Sequence, residues 1–414
     1  MTELNWAGNH TFLATTIHRP QSIDELRSIV SRGDNLHALG TRHSFNSIAD
    51  AKELISLESM SHDLTIDKAA MTASVNAGIR YGVLARQLEA AGMALHNMGS
   101  LPHISVGGAT ATATHGSGDR NRNLSSAVRS VELVTSDGDL ITIDRTNPDF
   151  AGAVVHLGGL GVATRLTFDL EPSYRVCQEV SEGLAWDVLT ESFDQVFGSA
   201  YSVSIFTSYA HEAGVLWRKH RLSNGQVPDS IERWGAVPAS HHRHPVDDLD
   251  GNACTPQLLD VGPWCERLPH FRLDQVPASG AEIQTEYMVA RRDAVAVIEA
   301  LRAFEPRMRD LLMISEIRTI AADDLWLSTA FERETVAFHF SWYLDQAGVD
   351  ALLPELEEVF RPFAARPHWG KAFAMDSTEI ANLYPQAEAF RRLRQRFDPR
   401  GAFITPFLER VGLV

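Results

Sequence analysis

The sequence predicts an α+β protein of two domains, from its length and from two regions of different pattern. At 414 residues, 44% of them hydrophobic, the chain is long for a single core. Up to about Pro172, predicted helices alternate with short strands. Beyond Pro172, longer extended segments separated by helices indicate an antiparallel sheet flanked by helices, followed by a final helix and a tail.

The first region opens with a helix that has clear boundary signals. Ser22, followed three residues later by Glu25, is a capping-box pattern ahead of an amphipathic stretch, and Gly33 ends it. A short apolar strand, 36–39, then leads into a loop that contains His43. Downstream we predict a strand at 72–76, a helix at 80–91, a hairpin (131–135 and 140–143) around an Asp-Gly turn, and a strand at 162–170.

Between these elements lies a segment of small residues. From Ser105 to Gly118, twelve of fourteen residues are Gly, Ala, Ser or Thr, too small to build a hydrophobic core. They would let backbone amides approach a pyrophosphate closely. A flexible linker is the alternative, but the regular Ala-Thr repeats and His115 favour the phosphate-binding interpretation. A Rossmann site is excluded, because Gly159 and Gly161 lack the third glycine and precede a strand.

The second region predicts a sheet and the helices beside it. We expect strands at Val203–Thr207, Gly214–Leu216, Glu282–Val289, Leu312–Ile320 and Thr335–Trp342, and helices at Asp293–Phe304, Leu352–Phe363 and Gln386–Phe397.

Two of these strands carry polar side chains on one face. A period of two places Glu316 with Arg318 on one strand, and His339 with Ser341 on the next. A half-exposed sheet could simply turn them to water. These side chains suit a polyhydroxylated ligand better than plain solvent. The carboxylate can accept hydrogen bonds from hydroxyls, and the guanidinium can hold an oxygen that becomes negative. Lys371 is a second candidate cation.

Composition narrows the partners and the compartment. A formal charge of −16 argues against nucleic acid or an anionic membrane as the main partner. Three cysteines without a CxxC pair argue against a disulfide framework and favour a reducing compartment. With neither a secretory signal nor a membrane span in the sequence, we expect a soluble cytoplasmic monomer. The histidines at 241, 242 and 244 suggest a metal, but we interpret them as a solvated loop and predict no metal site.

The chain resembles the vanillyl-alcohol-oxidase type flavoproteins. The resemblance begins with the 38–46 stretch after the first helix, the end of the small-residue segment (113–118), and the tail 397–403. Within that family it is similar to the aldonolactone oxidase branch, and most to the alditol oxidases, which act on xylitol and sorbitol. The stretches 5–9, 100–106, 316–319 and 366–371 carry this closer likeness. It implies an FAD domain at 1–172 with two α+β subdomains, a cap domain at 173–372, and a C-terminal segment at 373–414 that returns to the FAD domain.

The resemblance also implies a role for each matching residue. His43 would hold FAD covalently. The other residues expected at FAD are Ala38, Leu39, Gly40, Thr41, Arg42, Ser44, Ser100, Ser105, Gly108, Ala109, Thr110, Ala111, Thr114, His115, Val162 and His368. The residues expected at a small polyol are Ser100, Glu316, Arg318, His339, Ser341 and Lys371, of which Glu316, Arg318 and Lys371 would be catalytic.

The implied reaction is oxidation of a terminal hydroxyl of an alditol, with oxygen reduced to hydrogen peroxide. Two residues depart from the family pattern: Arg42 stands where distant relatives often have glycine, and Ser341 where alditol oxidases commonly have threonine. The alternatives are an aldonolactone oxidase or dehydrogenase, a flavoprotein with a reductase or binding role, and a carbohydrate-binding protein without flavin.

Overall fold

The computed structural model describes residues 3–223, 225–246, 249–275 and 282–414. Within them the chain forms nineteen strands and eleven α-helices in four sheets. The strands are β1 (Thr16–His18), β2 (Leu36–Ala38), β3 (Glu53–Ile55), β4 (Leu64–Asp67), β5 (Thr72–Asn76), β6 (Met93–Ala94), β7 (Val128–Val134), β8 (Leu140–Asp144), β9 (Val162–Asp169), β10 (Glu171–Pro172), β11 (Arg175–Leu184), β12 (Ser202–Thr207), β13 (Gly214–Leu222), β14 (Val237–Pro238), β15 (Gly262–Pro263), β16 (Glu282–Ala290), β17 (Leu312–Ile320), β18 (Thr335–Tyr343) and β19 (Arg366–Pro367). The helices are α1 (Ile23–Arg32), α2 (Tyr81–Ala90), α3 (Val106–Ala111), α4 (Phe150–Ala153), α5 (Trp186–Glu191), α6 (Phe193–Phe197), α7 (Ala294–Met308), α8 (Gln346–Phe360), α9 (Ser377–Leu383), α10 (Ala387–Phe397) and α11 (Pro406–Arg410).

The first region holds two of the larger sheets. One is parallel, in the order β1-β3-β2, and the other is antiparallel, in the order β4-β5-β9-β7-β8. Helix α1 has the predicted limits: the Ser22 side chain accepts a hydrogen bond from the Glu25 amide, and the Gly33 amide donates to Ile29 O. Leu26 and Val30 are its buried residues, as the amphipathic pattern predicts.

The second region is built on a nine-stranded sheet. Its order is β14-β11-β13-β12-β17-β18-β16-β19, with β15 paired to β11. Phe338 and Phe340 on β18 and Tyr287 on β16 pack against Phe360 of α8. The opposite face of these strands carries the polar residues. The predicted α+β class is confirmed.

Strand β11 was not predicted, and β13 is six residues longer at its C-terminal end than predicted, ending at Leu222 rather than Leu216. Both strands carry charged residues where an apolar alternation would be expected. The buried carboxylate of Glu179 on β11 pairs with Arg218, at 3.0 Å, and His220, at 2.9 Å, on β13. Because these charges satisfy each other across the two strands, Glu179, Arg218 and His220 can lie inside the sheet beside its apolar residues.

The prediction that the small-residue segment, 105–118, builds no hydrophobic core is wrong, because part of this segment is buried in the core. Residues 106–111 form helix α3, and Val106, Ala109 and Ala113 are buried in the main hydrophobic cluster. A Cβ at Gly107 would stand 2.9 Å from Ala77 O. Glycine therefore lets the helix backbone lie directly against the turn after β5, and small residues pack here through close approach.

The C-terminal segment returns to the first region. After α10, Leu36 of β2 donates its amide to Ala402 O at 2.7 Å. Arg400 donates to Ser136 O and Gly33 O, at 2.6 and 2.9 Å. Residues at the two ends of the sequence thus complete one unit.

Among residues 3–223, 225–246, 249–275 and 282–414, no helix has both the length and the apolar content needed to cross a bilayer.

Candidate active site

A cavity of about 610 Å³ lies between the two regions. The loop after β2, helix α3 with the residues after it, and the polar faces of β16, β17 and β18 form its walls. The predicted site residues that line it are Ala38, Leu39, Gly40, Thr41, Arg42, His43, Ser44, Ser100, Ser105, Gly108, Ala109, Ala111, Thr114, His115, Glu316, Arg318, His339, Ser341, His368 and Lys371.

Two predicted cofactor residues, Thr110 and Val162, do not line the cavity. Both are buried in the first region, at 2% and 0% exposure. Thr110 O accepts from the Ser125 hydroxyl inside the core. Val162 belongs to β9, where side chains alternate between faces, and the neighbouring Ala163 reaches the cavity instead.

The loop after β2 offers a row of free backbone donors. The amides of residues 40–44 donate to no acceptor in the described part of the protein, although Leu39 and Phe45 on either side are bonded to Ile55 O and Gly370 O. Arg42 in this loop has φ 63°, the left-handed conformation that glycine adopts most easily. Consecutive amides around a left-handed residue form a concave anion-binding nest, so the loop fits a pyrophosphate.

Helix α3 brings its backbone close to the loop, but its first amides are not free to bind an anion. The amides of Ser105, Val106 and Gly107 already donate to Thr41 Oγ1, Ile79 O and Ala77 O. A Cβ at Gly40 would stand 2.6 Å from Ser105 Oγ. The loop and α3 therefore lie against each other, a side chain at position 40 would have to displace the Ser105 hydroxyl, and the amides free to meet a phosphate are those of the loop.

His43 lies at the inner end of this loop. Its ring stacks on Trp6, with centroids 5.3 Å apart and an interplanar angle of 20°. Its buried Nδ1 has no hydrogen-bond partner in the described residues. Burial lowers the pKa of His43 to about 4, so the ring is neutral at pH 7 and one nitrogen keeps a free lone pair.

The polar strand faces meet as the period of two predicts. Strands β17 and β18 are neighbours, and Glu316 lies opposite His339 in their register. Glu316 and Arg318 are only 4% and 6% exposed. The alternative of a solvated sheet face is therefore wrong, because these charges are withdrawn from bulk water and must be satisfied inside the cavity wall.

A series of buried ion pairs satisfies them. Arg318 donates to Glu286 Oε1 at 2.5 Å and lies 3.5 Å from Glu316 Oε2, while His270 and His115 flank the two carboxylates, at 2.8 and 3.2 Å. Burial alone would raise the pKa of Glu316, but Arg318 and then His270 hold it well below its ordinary range. Both carboxylates are ionised at neutral pH.

Sequence reasoning missed many of the residues that line the cavity, and four of these are polar groups close to the predicted substrate residues. Glu282, Gln284 and Glu286 share one face of β16, and Gln284 and Glu286 lie opposite Ser341 and His339. Their period of two was a usable signal. The fourth, His270, lies on an irregular segment that carries no such signal.

Lys371 completes the polar wall. Its ammonium donates to Gln284 Oε1 and stands 4.7 Å from the centre of the Phe45 ring. Burial lowers the pKa of Lys371 to about 8. The Asn46 amide donates to Trp369 O at 2.9 Å, which ties the Lys371 segment to the His43 loop.

His115, Glu286 and His368 place their donor atoms within 4.8 Å of one another. Arg318 already donates to the same Glu286 oxygen that faces His115, so a guanidinium occupies the position where a cation would be attracted. Of the three clustered histidines in the 241–244 stretch, His244 lines the cavity.

Comparisons with known proteins agree with this geometry. A family model described as FAD binding domain matches residues 14–144, and one described as D-arabinono-1,4-lactone oxidase matches residues 281–411. An alditol oxidase of Streptomyces is 42% identical over 98% of this chain and 97% of its own. An L-gulono-1,4-lactone dehydrogenase of Mycobacterium tuberculosis is 28% identical, and an L-gulonolactone oxidase of Mus musculus 24%, each over 98% of this chain and 98% and 97% of their own.

Solved structures support the fold alone. A cholesterol oxidase from B. sterolicum superimposes with a TM-score of 0.80 at 14% sequence identity, covering 99% of this chain and 96% of that one. A solvent-stable cholesterol oxidase gives 0.79 at 17% identity, with coverage of 99% and 97%. The predicted resemblance is confirmed: the chain belongs to the alditol oxidase family, in the aldonolactone oxidase branch of the vanillyl-alcohol-oxidase type flavoproteins.

Proposed function

We propose that this protein oxidises a terminal hydroxyl of an alditol of the xylitol or sorbitol type, with FAD tethered to His43 and oxygen reduced to hydrogen peroxide. The observation that carries the proposal is one shared cavity. It joins a loop of free amides and a neutral histidine to a buried wall of carboxylates, guanidinium, imidazole and ammonium groups. The similarity to an alditol oxidase supports it.

The loop after β2 and helix α3 would hold FAD, with the free amides of residues 40–44 at the pyrophosphate. When bound, FAD supplies the acceptor for a hydride and the route of the electrons to oxygen. Neutral His43, with a free ring nitrogen, fits a covalent tether. His368, also kept neutral because burial lowers its pKa to about 3, would lie nearer the flavin ring.

The polar wall would bind and orient the polyol. Arg318 and Lys371 would hold the oxygen of the reacting hydroxyl as it gains alkoxide character, because fixed positive charge in a buried site stabilises it strongly. Glu316 would accept a hydrogen bond from the neighbouring hydroxyl. A substrate without that hydroxyl would leave a buried carboxylate lone pair unmatched, and the wall would select against it. His339 and Ser341 would contact the rest of the polyol.

We infer the following division of labour in the chain. Residues 1–172, completed by 373–414, would form the FAD unit, and residues 173–372 the cap that supplies the polyol wall. The return of Ala402 to Leu36 supports the first assignment, and the nine-stranded sheet supports the second. The three cysteines form no disulfide, which favours a cytoplasmic location.

The tether is tested by replacing His43. We expect acid-precipitated wild-type protein to stay yellow and His43→Ala to give a colourless pellet, because dissociable FAD is lost on denaturation. His10→Ala is the control and should keep its colour, because His10 is a partly buried histidine outside the cavity, with its Nε2 3.3 Å from Asp50 Oδ2. If His43→Ala keeps covalent flavin and full activity, His43 is not the tether.

The substrate class is tested by anaerobic reduction. We expect xylitol to bleach the flavin absorbance faster than gulonolactone at equal concentration. The lactone oxidase match over residues 281–411 makes the lactone the relevant competitor. Faster bleaching by gulonolactone would reassign the protein to lactone oxidation, and no bleaching by either would leave a binding or reductase role.

A further inference from the structure

A short irregular segment, 267–271, forms part of the cavity wall between β15 and β16. His270 and Phe271 line the cavity. His270 is buried, at 5% exposure. Its ring is held between the edges of Phe206 and Trp217, with centroids 5.5 and 5.3 Å away. An imidazole packed in this way has a fixed orientation.

The ring of His270 holds Glu316. Its Nε2 lies 2.8 Å from Glu316 Oε1, and both side chains are buried. Glu316 is ionised, so its oxygens can only accept, and Nε2 must carry the donated hydrogen. The other carboxylate oxygen faces Arg318 at 3.5 Å. His270 therefore fixes the rotation of a carboxylate that would otherwise have Arg318 as its nearest ionic partner.

The backbone of the same segment holds Ser100. The amides of His270 and Phe271 donate to Ser100 O, at 3.1 and 3.3 Å. Ser100 Oγ in turn accepts from Arg318 at 3.1 Å. One segment thus positions two of the groups that contact the Arg318 guanidinium, one through a side chain and one through the main chain.

Lys219 of β13 anchors this segment from behind. Its ammonium donates to the carbonyls of Arg267, Leu268 and Pro269, at 2.9, 2.6 and 2.9 Å. The side chain is 1% exposed, and within the described residues no carboxylate lies within 4.0 Å of it. A buried ammonium is costly unless its donors are satisfied. Three carbonyls satisfy all three, and they come from the residues just before His270.

We propose that His270, anchored through Lys219, is a positioning residue that sets the preference of this enzyme for a hydroxyl next to the reacting carbon. The proposal rests on the proposed function, because the preference is exerted by Glu316. His270 fixes the Glu316 carboxylate, and Lys219 fixes the segment that carries His270. Neither side chain takes part in the chemistry.

The test compares xylitol with 1,5-pentanediol, which lacks the three inner hydroxyls of xylitol, including the one next to the reacting carbon. The variants leave the contacts of the other two unchanged, so a difference between variants reports the neighbouring hydroxyl. The measured quantity is the ratio of kcat/KM for the two, taken on one preparation so that folded fraction and flavin loading cancel. We expect His270→Leu to lower this ratio about tenfold, the effect of losing one charge-assisted hydrogen bond. His270→Gln keeps a donor near the Nε2 position and should stay within about threefold of wild type.

The matched control is His220→Leu. His220 also pairs with a carboxylate, Glu179, at 2.9 Å, but away from the cavity. Its ratio should not change. Lys219→Met should lower the ratio in the same direction as His270→Leu; should that variant fail to fold, the two His270 variants decide.

Two failures are distinguishable. A wild-type protein that oxidises neither xylitol nor the diol contradicts the proposed function. A wild-type protein that prefers xylitol, with an unchanged ratio in His270→Leu or an equal loss in His270→Gln, overturns the positioning role alone.

Discussion

At the scale of the residue, burial sets the charge of each group in the cavity. Burial lowers the pKa of His43 to about 4 and that of His339 to about 3, so both rings are neutral. Glu316 stays ionised despite its burial, because Arg318 and the hydrogen bond from His270 stabilise its charge. Lys371 differs from all of these, because its lowered pKa falls close to physiological pH.

Under the proposed function, Lys371 should set an upper pH limit for activity. With a pKa of about 8, its ammonium is present below that pH and lost above it. Since the cation would stabilise the reacting oxygen, kcat/KM for xylitol should fall as pH rises through about 8, and this parameter reports groups of the free enzyme. Lys371→Arg should abolish this fall in kcat/KM, because a guanidinium stays charged. If kcat/KM of Lys371→Arg falls at the same pH, another group causes the decrease.

The individual site residues also show how much of the candidate site could be predicted from the sequence. Glu316, Arg318, His339 and Ser341 were found because strands repeat with a period of two. The same rule applied to β16 would have found Glu286. His270 was beyond reach, since its contacts with Glu316 and Ser100 depend on an irregular path that local pattern does not encode.

At the scale of the element, helix α3 shows how closely two backbones approach. Its limits could not be predicted, because glycine and threonine are poor helix formers in isolation. Tertiary packing against the turn after β5 stabilises it, with Gly107 donating to Ala77 O at 2.8 Å. Strands could be predicted where apolar and polar residues alternate. Strand β11 could not, because its buried Glu179 is matched by Arg218 and His220 on β13, which is distant in the sequence.

Two adjacent glycines in α3 should respond differently to alanine. In Gly107→Ala the new methyl would stand 2.9 Å from Ala77 O, a backbone atom, so we expect a loss of about 1–3 kcal/mol in the free energy of unfolding. In Gly108→Ala the methyl meets only the movable Ser105 hydroxyl, at 3.0 Å, and stability should stay within about 1 kcal/mol of wild type. Urea unfolding followed by circular dichroism measures both; equal losses would contradict the close contact.

At the scale of the whole molecule, the C-terminal segment joins the ends of the chain. Asp398 is buried, and its two carboxylate oxygens accept from the amides of Ala402 and Phe403, at 2.8 and 2.9 Å. That turn presents Ala402 O to Leu36 of β2, the strand that leads into the His43 loop. Sequence similarity indicated this return, but the residues that make it were visible only in the structure.

Asp398→Ala should therefore lower both the stability of the C-terminal turn and the support that this turn gives to β2 and the His43 loop. Two buried amides lose their acceptor, which predicts a loss of about 2–4 kcal/mol in the free energy of unfolding, together with lower flavin content. Arg396→Ala, which breaks an exposed pair with Asp149, is the control and should change stability by less than about 1 kcal/mol. Thermal melts with flavin quantitation check this, and normal flavin content in Asp398→Ala would show that the turn does not support the loop.

The bond between Leu36 and Ala402 also bears on the order in which the protein matures. During translation β2 and its loop leave the ribosome early, yet β2 lacks that partner until residue 402 has been made. A nascent chain that stops earlier holds an unfinished cofactor loop. We therefore expect the protein to capture flavin only after residue 402 has been made and the C-terminal segment has bound β2.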